Sequence, residues 1–166
     1  MDDIMIRRAE PGDEKILSRI QAESWHAAFA GILSSEELEH CTNLQRTEQM
    51  YHNILRRDGC NMAIEFVRGE PHCIAAWGKN RCELGDTVGE LVCIHSMHDN
   101  WGKGYGSAMM LYVLDMLRRE QYISVILWVF EANTRARRFY EKHGFSLTEH
   151  KKIVNGVAEL MYKKIL

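Results

Sequence analysis

The sequence predicts an α/β (α+β) protein built on one mixed, mostly antiparallel sheet flanked by helices, and three observations carry that expectation. Two short reversals, Gly69-Glu70-Pro71 and Asn155-Gly156, each join two stretches of strand character, which marks antiparallel hairpins. Residues 90–120, ELVCIHSMHDNWGKGYGSAMMLYVLDMLRRE, pass from an apolar strand through a glycine-rich loop into a helical pattern. Residues Ile123 to Phe130 are apolar almost throughout, as expected of a strand buried on both faces and therefore central in its sheet. With 166 residues, no internal repeat and no linker, the chain is expected to form one domain, 1–166.

In chain order, Ile4 to Ala9 reads as a first strand stopped by Pro11-Gly12. Asp13 precedes a helical stripe of Ile16, Leu17, Ile20, Ser24, Ala27 and Ala28, which ends among aromatics and closes on Gly31. Aromatics at a helix end either fill a core or wall a small-molecule pocket, and Trp25 and Phe29 are candidates for the pocket. Ser34-Ser35-Glu36-Glu37 offers capping oxygens and first-turn acids to a second helix, predicted as one element running to Gly59. Its expected apolar side is Leu38, Cys41, Leu44, Met50, Ile54 and Leu55. Strands are expected over Met62 to Arg68, His72 to Trp77 and Val88 to Ile94, then a helix carrying Met109, Tyr112, Val113, Met116 and Leu117. Asn133 can cap the next helix, which shows Ala136, Phe139, Tyr140 and His143 at helical spacing and stops at Gly144. Strands Phe145 to Ile153 and Val157 to Ile165 close an order β, α, α, β, β, β, α, β, α, β, β.

Formal net charge is −2 and the pI about 6.4, which gives no electrostatic reason to expect a nucleic-acid or anionic-membrane partner. The five cysteines, Cys41, Cys60, Cys73, Cys82 and Cys93, are odd in number and form no C-x-x-C pair. The chain opens acidic, and no apolar signal region or span of about 20 residues follows, so reduced thiols and a cytoplasmic location are expected.

Chemistry concentrates in the glycine loop. Gly102, Gly104 and Gly106 can leave backbone N–H groups uncovered at a helix N-terminus, where several converge on one phosphate or diphosphate; Lys103 adds charge and Ser107 a hydroxyl. A bend with no ligand is the plainer reading. Walker A chemistry fails, because Lys103 is followed by Gly104 rather than Ser or Thr. A dinucleotide fingerprint fits in part, with Gly102, Gly104 and Ser107 on its glycine places and Glu131 imitating its acidic residue.

The loop resembles more closely the acyl-CoA loop of the GCN5-related N-acetyltransferase (GNAT) superfamily, Arg/Gln-x-x-Gly-x-Gly/Ala. Gly104 and Gly106 hold the glycine places, while Trp101 stands where the family has Arg or Gln. The family's strand-Asn-helix-Tyr-x-x-x-Gly-Phe block is matched at Asn133, Tyr140, Gly144 and Phe145, in the family's order and separation. The resemblance implies splayed central parallel strands, with backbone at Ile94, His95 and Ser96 pairing with the pantetheine arm as an added strand would. It implies diphosphate contacts from Gly102, Lys103, Gly104, Tyr105, Gly106 and Ser107, and a contact to CoA from Asn133.

The implied reaction moves an acetyl group from acetyl-CoA to a primary amine of a small molecule or peptide by direct attack. Such a step needs a base for the ammonium and an acid for the departing thiolate. Tyr140 matches the family's acid and Glu90 its strand carboxylate, with His95 or water competing as the base. Cys93, His95, His98 and Asp99 form no recognised ligand pattern, so no metal is expected. A non-catalytic acyl-CoA binding or sensing domain of the same fold is the alternative, and a nucleotide-binding regulatory domain a third. The acceptor pocket is expected around Trp25, Phe29 and Tyr162. A polyamine, aminoglycoside, amino acid or peptide N-terminus all stay open as acceptor, as does assembly into a homodimer.

Overall fold

The computed structural model describes residues 3–59 and 61–166; the readings that involve Met1, Asp2 and Cys60 lie outside the described residues. The elements are β1 (Ile4–Arg8), α1 (Glu14–Phe29), α2 (Ser35–Thr42), α3 (Leu44–Leu55), β2 (Asn61–Val67), β3 (Glu70–Lys79), β4 (Val88–Ser96), α4 (Tyr105–Arg119), β5 (Ser124–Phe130), α5 (Thr134–Lys142), β6 (Ser146–Val154) and β7 (Val157–Ile165). The strands form a seven-stranded sheet in the order β1-β2-β3-β4-β5-β7-β6. Every neighbouring pair is antiparallel except β4 and β5. β5, the apolar strand, is central as expected. No helix among the described residues is long and apolar enough to cross a membrane.

Local chemistry sets the element ends. The Asp13 carboxylate does not cap α1; it accepts two bonds from the Arg7 guanidinium, 2.7 and 2.8 Å, and one from the Glu10 N–H, which ties β1 to the start of the helix. The helix predicted from Ser34 to Gly59 is two helices. Asn43, extended at ψ 117°, ends α2, and its side chain accepts the Arg46 N–H at 2.9 Å to begin α3. The break rotates α3, so Leu44 and Met50 are exposed while Thr47 and Tyr51 turn inward. There they meet polar partners on α1: Thr47 bonds Ser18, and the Tyr51 hydroxyl donates to Gln21 Oε1 at 2.5 Å. The first hairpin turns at Arg68-Gly69, leaving Glu70 and Pro71 in β3, while Asn155-Gly156 turns where expected.

The strand that matters most to the site is irregular. Ala76 of β3 pairs with Cys93 and Trp77 with Leu91, so Val92 is an extra, unmatched residue, a β-bulge. The bulge reverses the side-chain alternation. Leu91 and Ile94 pack on the α4 side, whereas Cys93 packs on the opposite side with residues of α1 and α3. Pairing of β4 with β5 covers only Val88↔Ser124 to Glu90↔Ile126 and ends just before the bulge.

The larger core lies between the sheet and α4, around Met109, Met110, Val113, Leu117, Leu127 and Tyr162. One member of this side is out of place by polarity. Glu65 of β2 is 0% exposed, and neither carboxylate oxygen has a hydrogen-bond partner. Desolvation pushes its pKa up from 4.5 to about 7, and the Met109 N–H of α4 only partly opposes that. The folded chain therefore holds this proton to higher pH than the unfolded chain. Stability falls as pH rises from 4.5 through about 7 and stays lower above that. Urea unfolding should show Glu65→Gln gaining on the wild type by on the order of 2–3 kcal/mol between pH 5 and pH 8. Equal gaps at the two pH values would show that the carboxyl pays no burial penalty.

Candidate functional site

Where β4 and β5 part, a cavity of about 230 Å³ opens. Leu91 to Ser96 form its floor, and Trp128, Val129 and Phe130 of β5 form one wall. Beyond Glu90 the alternate backbone groups of β4 that point toward β5 have no strand partner there, since the parallel ladder has ended. An extended chain laid in the gap can take those bonds.

The loop from β4 to α4 makes one end. After a 3-10 turn at His98–Asn100, Gly102 and Gly104 take φ of 80° and 89°, values that a side chain would strain, and Gly104 stands at the N-cap of α4. Gly106 is different: it lies within the first helical turn, without positive φ, and lines the cavity. The first-turn N–H groups thus point out of the helix start with the positive end of the helix dipole behind them, although that of Ser107 already donates to the Gly104 carbonyl at 3.1 Å. Lys103 is exposed in this loop, whereas the Tyr105 side chain packs inward with its ring 5.2 Å from that of His72. Only the backbone of Tyr105 belongs to the loop surface.

The α1 side is aromatic. Trp25 and Phe29 stand edge to face at 5.0 Å, and Phe29 meets Phe130 at 5.0 Å. The Trp25 indole donates to His95 Nε2 at 3.1 Å, so that nitrogen carries the lone pair and Nδ1 the proton. Burial pushes the His95 pKa down to about 4. His95 faces Trp25 from the same side as Cys93 because of the Val92 bulge. His98 and Asp99 lie exposed in the turn beyond, and among the described residues no cluster of three potential metal ligands forms.

The α5 side supplies Asn133, Arg135, Phe139 and Tyr140. Asn133 caps α5 by accepting the Ala136 N–H at 3.2 Å and lines the cavity as well. Tyr140 is 8% exposed, and among the described residues its hydroxyl has no side-chain hydrogen-bond partner. Burial holds this phenol well above its ordinary range, with the Arg135 cation opposing, so it carries its proton throughout the physiological range.

Glu90 is 1% exposed and does not line the cavity, although the adjacent Leu91 does. Arg81 engages both its oxygens, through Nη2 at 2.6 Å and the backbone N–H at 2.9 Å. Tyr162 corrects the expectation that it borders the acceptor. It is 0% exposed on the other face of the sheet, accepting from Arg137 Nε at 3.1 Å and donating to Glu141 at 2.8 Å. Alternation along β7 sends Glu159, not Tyr162, to the cavity, where Lys152 pairs with it at 3.1 Å. Sequence reasoning missed Glu159, Trp128 and Phe130. Strand parity could have found the last two, since Ile126, Trp128 and Phe130 alternate onto one face.

A model of the acetyltransferase (GNAT) family matches residues 23–145. The chain is 26% identical to a probable N-acetyltransferase of Mycobacterium tuberculosis, over 87% of this chain and 80% of that one. It is 23% identical to a spermidine N(1)-acetyltransferase of Thermoplasma acidophilum, over 88% and 90%. Among solved structures, a PaiA N-acetyltransferase from Thermoplasma acidophilum in complex with coenzyme A superposes with a TM-score of 0.84 at 18% identity, covering 99% of each chain. A ribosomal-protein-alanine N-acetyltransferase from Brucella melitensis gives 0.76 at 21% identity, covering 98% of this chain and 99% of that one. At these identities the structural likenesses establish the fold.

The His95 geometry has a direct readout. Nitrogen-resolved NMR should find its imidazole neutral at pH 6, in the Nδ1–H form, and titrating near pH 4; a charged ring at pH 6 would contradict the contact with Trp25.

Proposed function

The chain belongs to the acetyltransferase (GNAT) family, and from that premise we propose that it moves the acetyl group of acetyl-CoA to a primary amine by direct attack, with no covalent enzyme intermediate. The observation that carries this reading is the cavity between the parted ends of β4 and β5, with unpaired β4 backbone along it and the glycine loop at its end. Those features suit an extended acyl carrier ending in a diphosphate. Acetyl-CoA supplies an activated thioester; binding, orientation and proton movement fall to the chain.

Backbone groups at Ile94, His95 and Ser96 pair with the carrier's amide-bearing arm, and an N–H in that row polarises the thioester carbonyl. The amides of residues 102–107 receive the diphosphate. Asn133 meets the carrier from α5 while it caps the helix. Tyr140, kept as a neutral phenol by burial, donates its proton to the thiolate sulfur as the bond to the acyl carbon breaks.

For the proton given up by the amine, the two side-chain candidates differ in what already engages them. The His95 lone pair takes the Trp25 N–H, and burial disfavours the imidazolium, which argues against His95. Glu90 lies one residue behind the cavity floor and is held by Arg81, so protons reach it by way of water. We assign it the base role by that route. On the acceptor side, aromatic faces from Trp25, Phe29 and Phe130 suit an amine on an apolar stem, while Lys152 already lies 4.2 Å over the Trp128 ring and 3.1 Å from Glu159. The relative named for spermidine fits that class.

Acetyl-CoA should raise the melting temperature, and thiol should appear only when an amine is added; a protein that merely binds acyl-CoA releases none. In that assay Tyr140→Phe should lower kcat by about a hundredfold or more while acetyl-CoA affinity is kept, and unchanged turnover would remove Tyr140 from the acid role. Glu90→Gln should lower kcat/KM at pH 7 by tenfold or more. Turnover like the wild type's would leave Glu90 a purely structural partner of Arg81.

A further inference from the structure

Position 101 carries an indole where the family resemblance calls for Arg or Gln, so the loop offers an anion its backbone amides but no side-chain cation or amide at that place. The structure brings a cation there from another element. The Arg135 guanidinium carbon lies 3.4 Å from the centre of the Trp101 ring. The indole beneath it is fixed, because its Nε1–H donates to the Ser96 carbonyl at 3.1 Å. Among the described residues no carboxylate pairs with Arg135.

Packing, not the reach of a long side chain, puts Arg135 in this position. Arg135, Phe139 and His143 follow one another at four-residue spacing and share one face of α5 and its C-cap. The Phe139 ring comes within 3.6 Å of where a Cβ on Gly106 would stand. His143 Nε2 and Ser107 Oγ share a hydrogen bond of 3.1 Å. That face therefore lies along the loop from residue 101 to residue 107, with Arg135 at its start. A guanidinium stacked on an indole keeps its N–H groups directed sideways in its own plane, which is the orientation a bidentate grip on phosphate oxygens needs. Both side chains line the cavity.

Resting on the acyl-CoA reading above, we propose that Arg135, seated on the Trp101 ring, is the side-chain cation that grips the donor's diphosphate in place of the one absent from position 101, with Trp101 as its positioning residue. The charge has moved from the loop to the facing helix, and the indole that displaced it has become its platform.

Isothermal titration with CoA, and with dephospho-CoA, which keeps the diphosphate but lacks the 3′-phosphate, tests this on the wild type, Arg135→Met, Trp101→Ala and the double variant Arg135→Met with Trp101→Arg. Arg135 is exposed, so its replacement leaves the fold intact. Arg135→Met should weaken both ligands alike by about tenfold to a hundredfold. Trp101→Ala should produce a smaller loss in the same sense, and the double variant, with the cation returned to position 101, should recover most of the affinity. Wild-type affinity in Arg135→Met, a loss confined to CoA, which marks a 3′-phosphate contact instead, or no recovery in the double variant would each overturn the assignment. A folded wild type that binds neither ligand would sink the acyl-CoA reading itself.

Discussion

β4 carries one residue more than β3 can pair, and the consequences of that surplus residue run through the whole site. A strand with a bulge bends and twists more strongly than its neighbours. Here the parallel ladder with β5 survives for three register positions and then ends. The gap becomes the cavity, and the backbone that a sheet would normally consume is left for another chain to pair with. Because the bulge also shifts side-chain parity, Glu90 and His95, which differ in parity, both turn away from α4, and His95 arrives beside Trp25. Without the surplus at Val92, the same side chains would be divided between the two faces differently, and the strands could run on together.

The cost of opening a sheet is borne by polar anchoring around it. The connection between β3 and β4 is held by Asn80, whose side chain donates to the Gly85 and Val88 carbonyls and accepts from the Cys82 and Leu84 N–H groups. Arg81, from the same connection, closes on Glu90 where β4 enters. Arg81 is itself mostly exposed, so solvent screens the pair, but it is the partner of a carboxylate that is 1% exposed, and this anchors the start of β4 while its end is free. Glu65 shows the opposite treatment. It is buried under α4 with no hydrogen-bond partner, and desolvation raises its pKa to about 7, so the neutral form holds below neutrality and the charged form gains only above it.

The backbone plan was legible because it rests on features local in sequence: a hairpin turn at Asn155-Gly156, a continuous apolar β5, and a capping side chain at Asn133. What escaped depends on distant geometry. Asn43 carries a cap as good as Asn133's, yet the apolar residues on both sides of it read as one stripe, and the side of α3 that turns inward is matched by the polar Ser18 and Gln21 on α1 as well as by apolar packing of Tyr51, Ile54 and Leu55. Tyr162 was expected beside the acceptor because the pocket was drawn from the late hairpin as well as the first helices, but β7 pairs with β5 in a register that turns it toward α5 and Glu159 toward the cavity. The departure at Trp101 was visible as a letter. Its partner Arg135, 34 positions on by residue number, belongs to a helix whose placement no periodicity reveals.

The two ends of the cavity are built from different kinds of group, and this separates what can vary from what cannot. The end at the glycine loop and along β4 presents main-chain N–H and C=O groups, which every residue supplies, so apart from Trp101 and the Arg135 seated on it, side chains there can change as long as the bulge, the positive φ values and the helix start are kept. The end at Trp25, Phe29, Trp128 and Glu159 works through side chains alone, whose shape and charge alter with every substitution. A fold arranged in this way can hold one carrier constant while its other ligand changes, because the first is read by backbone geometry and the second by side-chain identity.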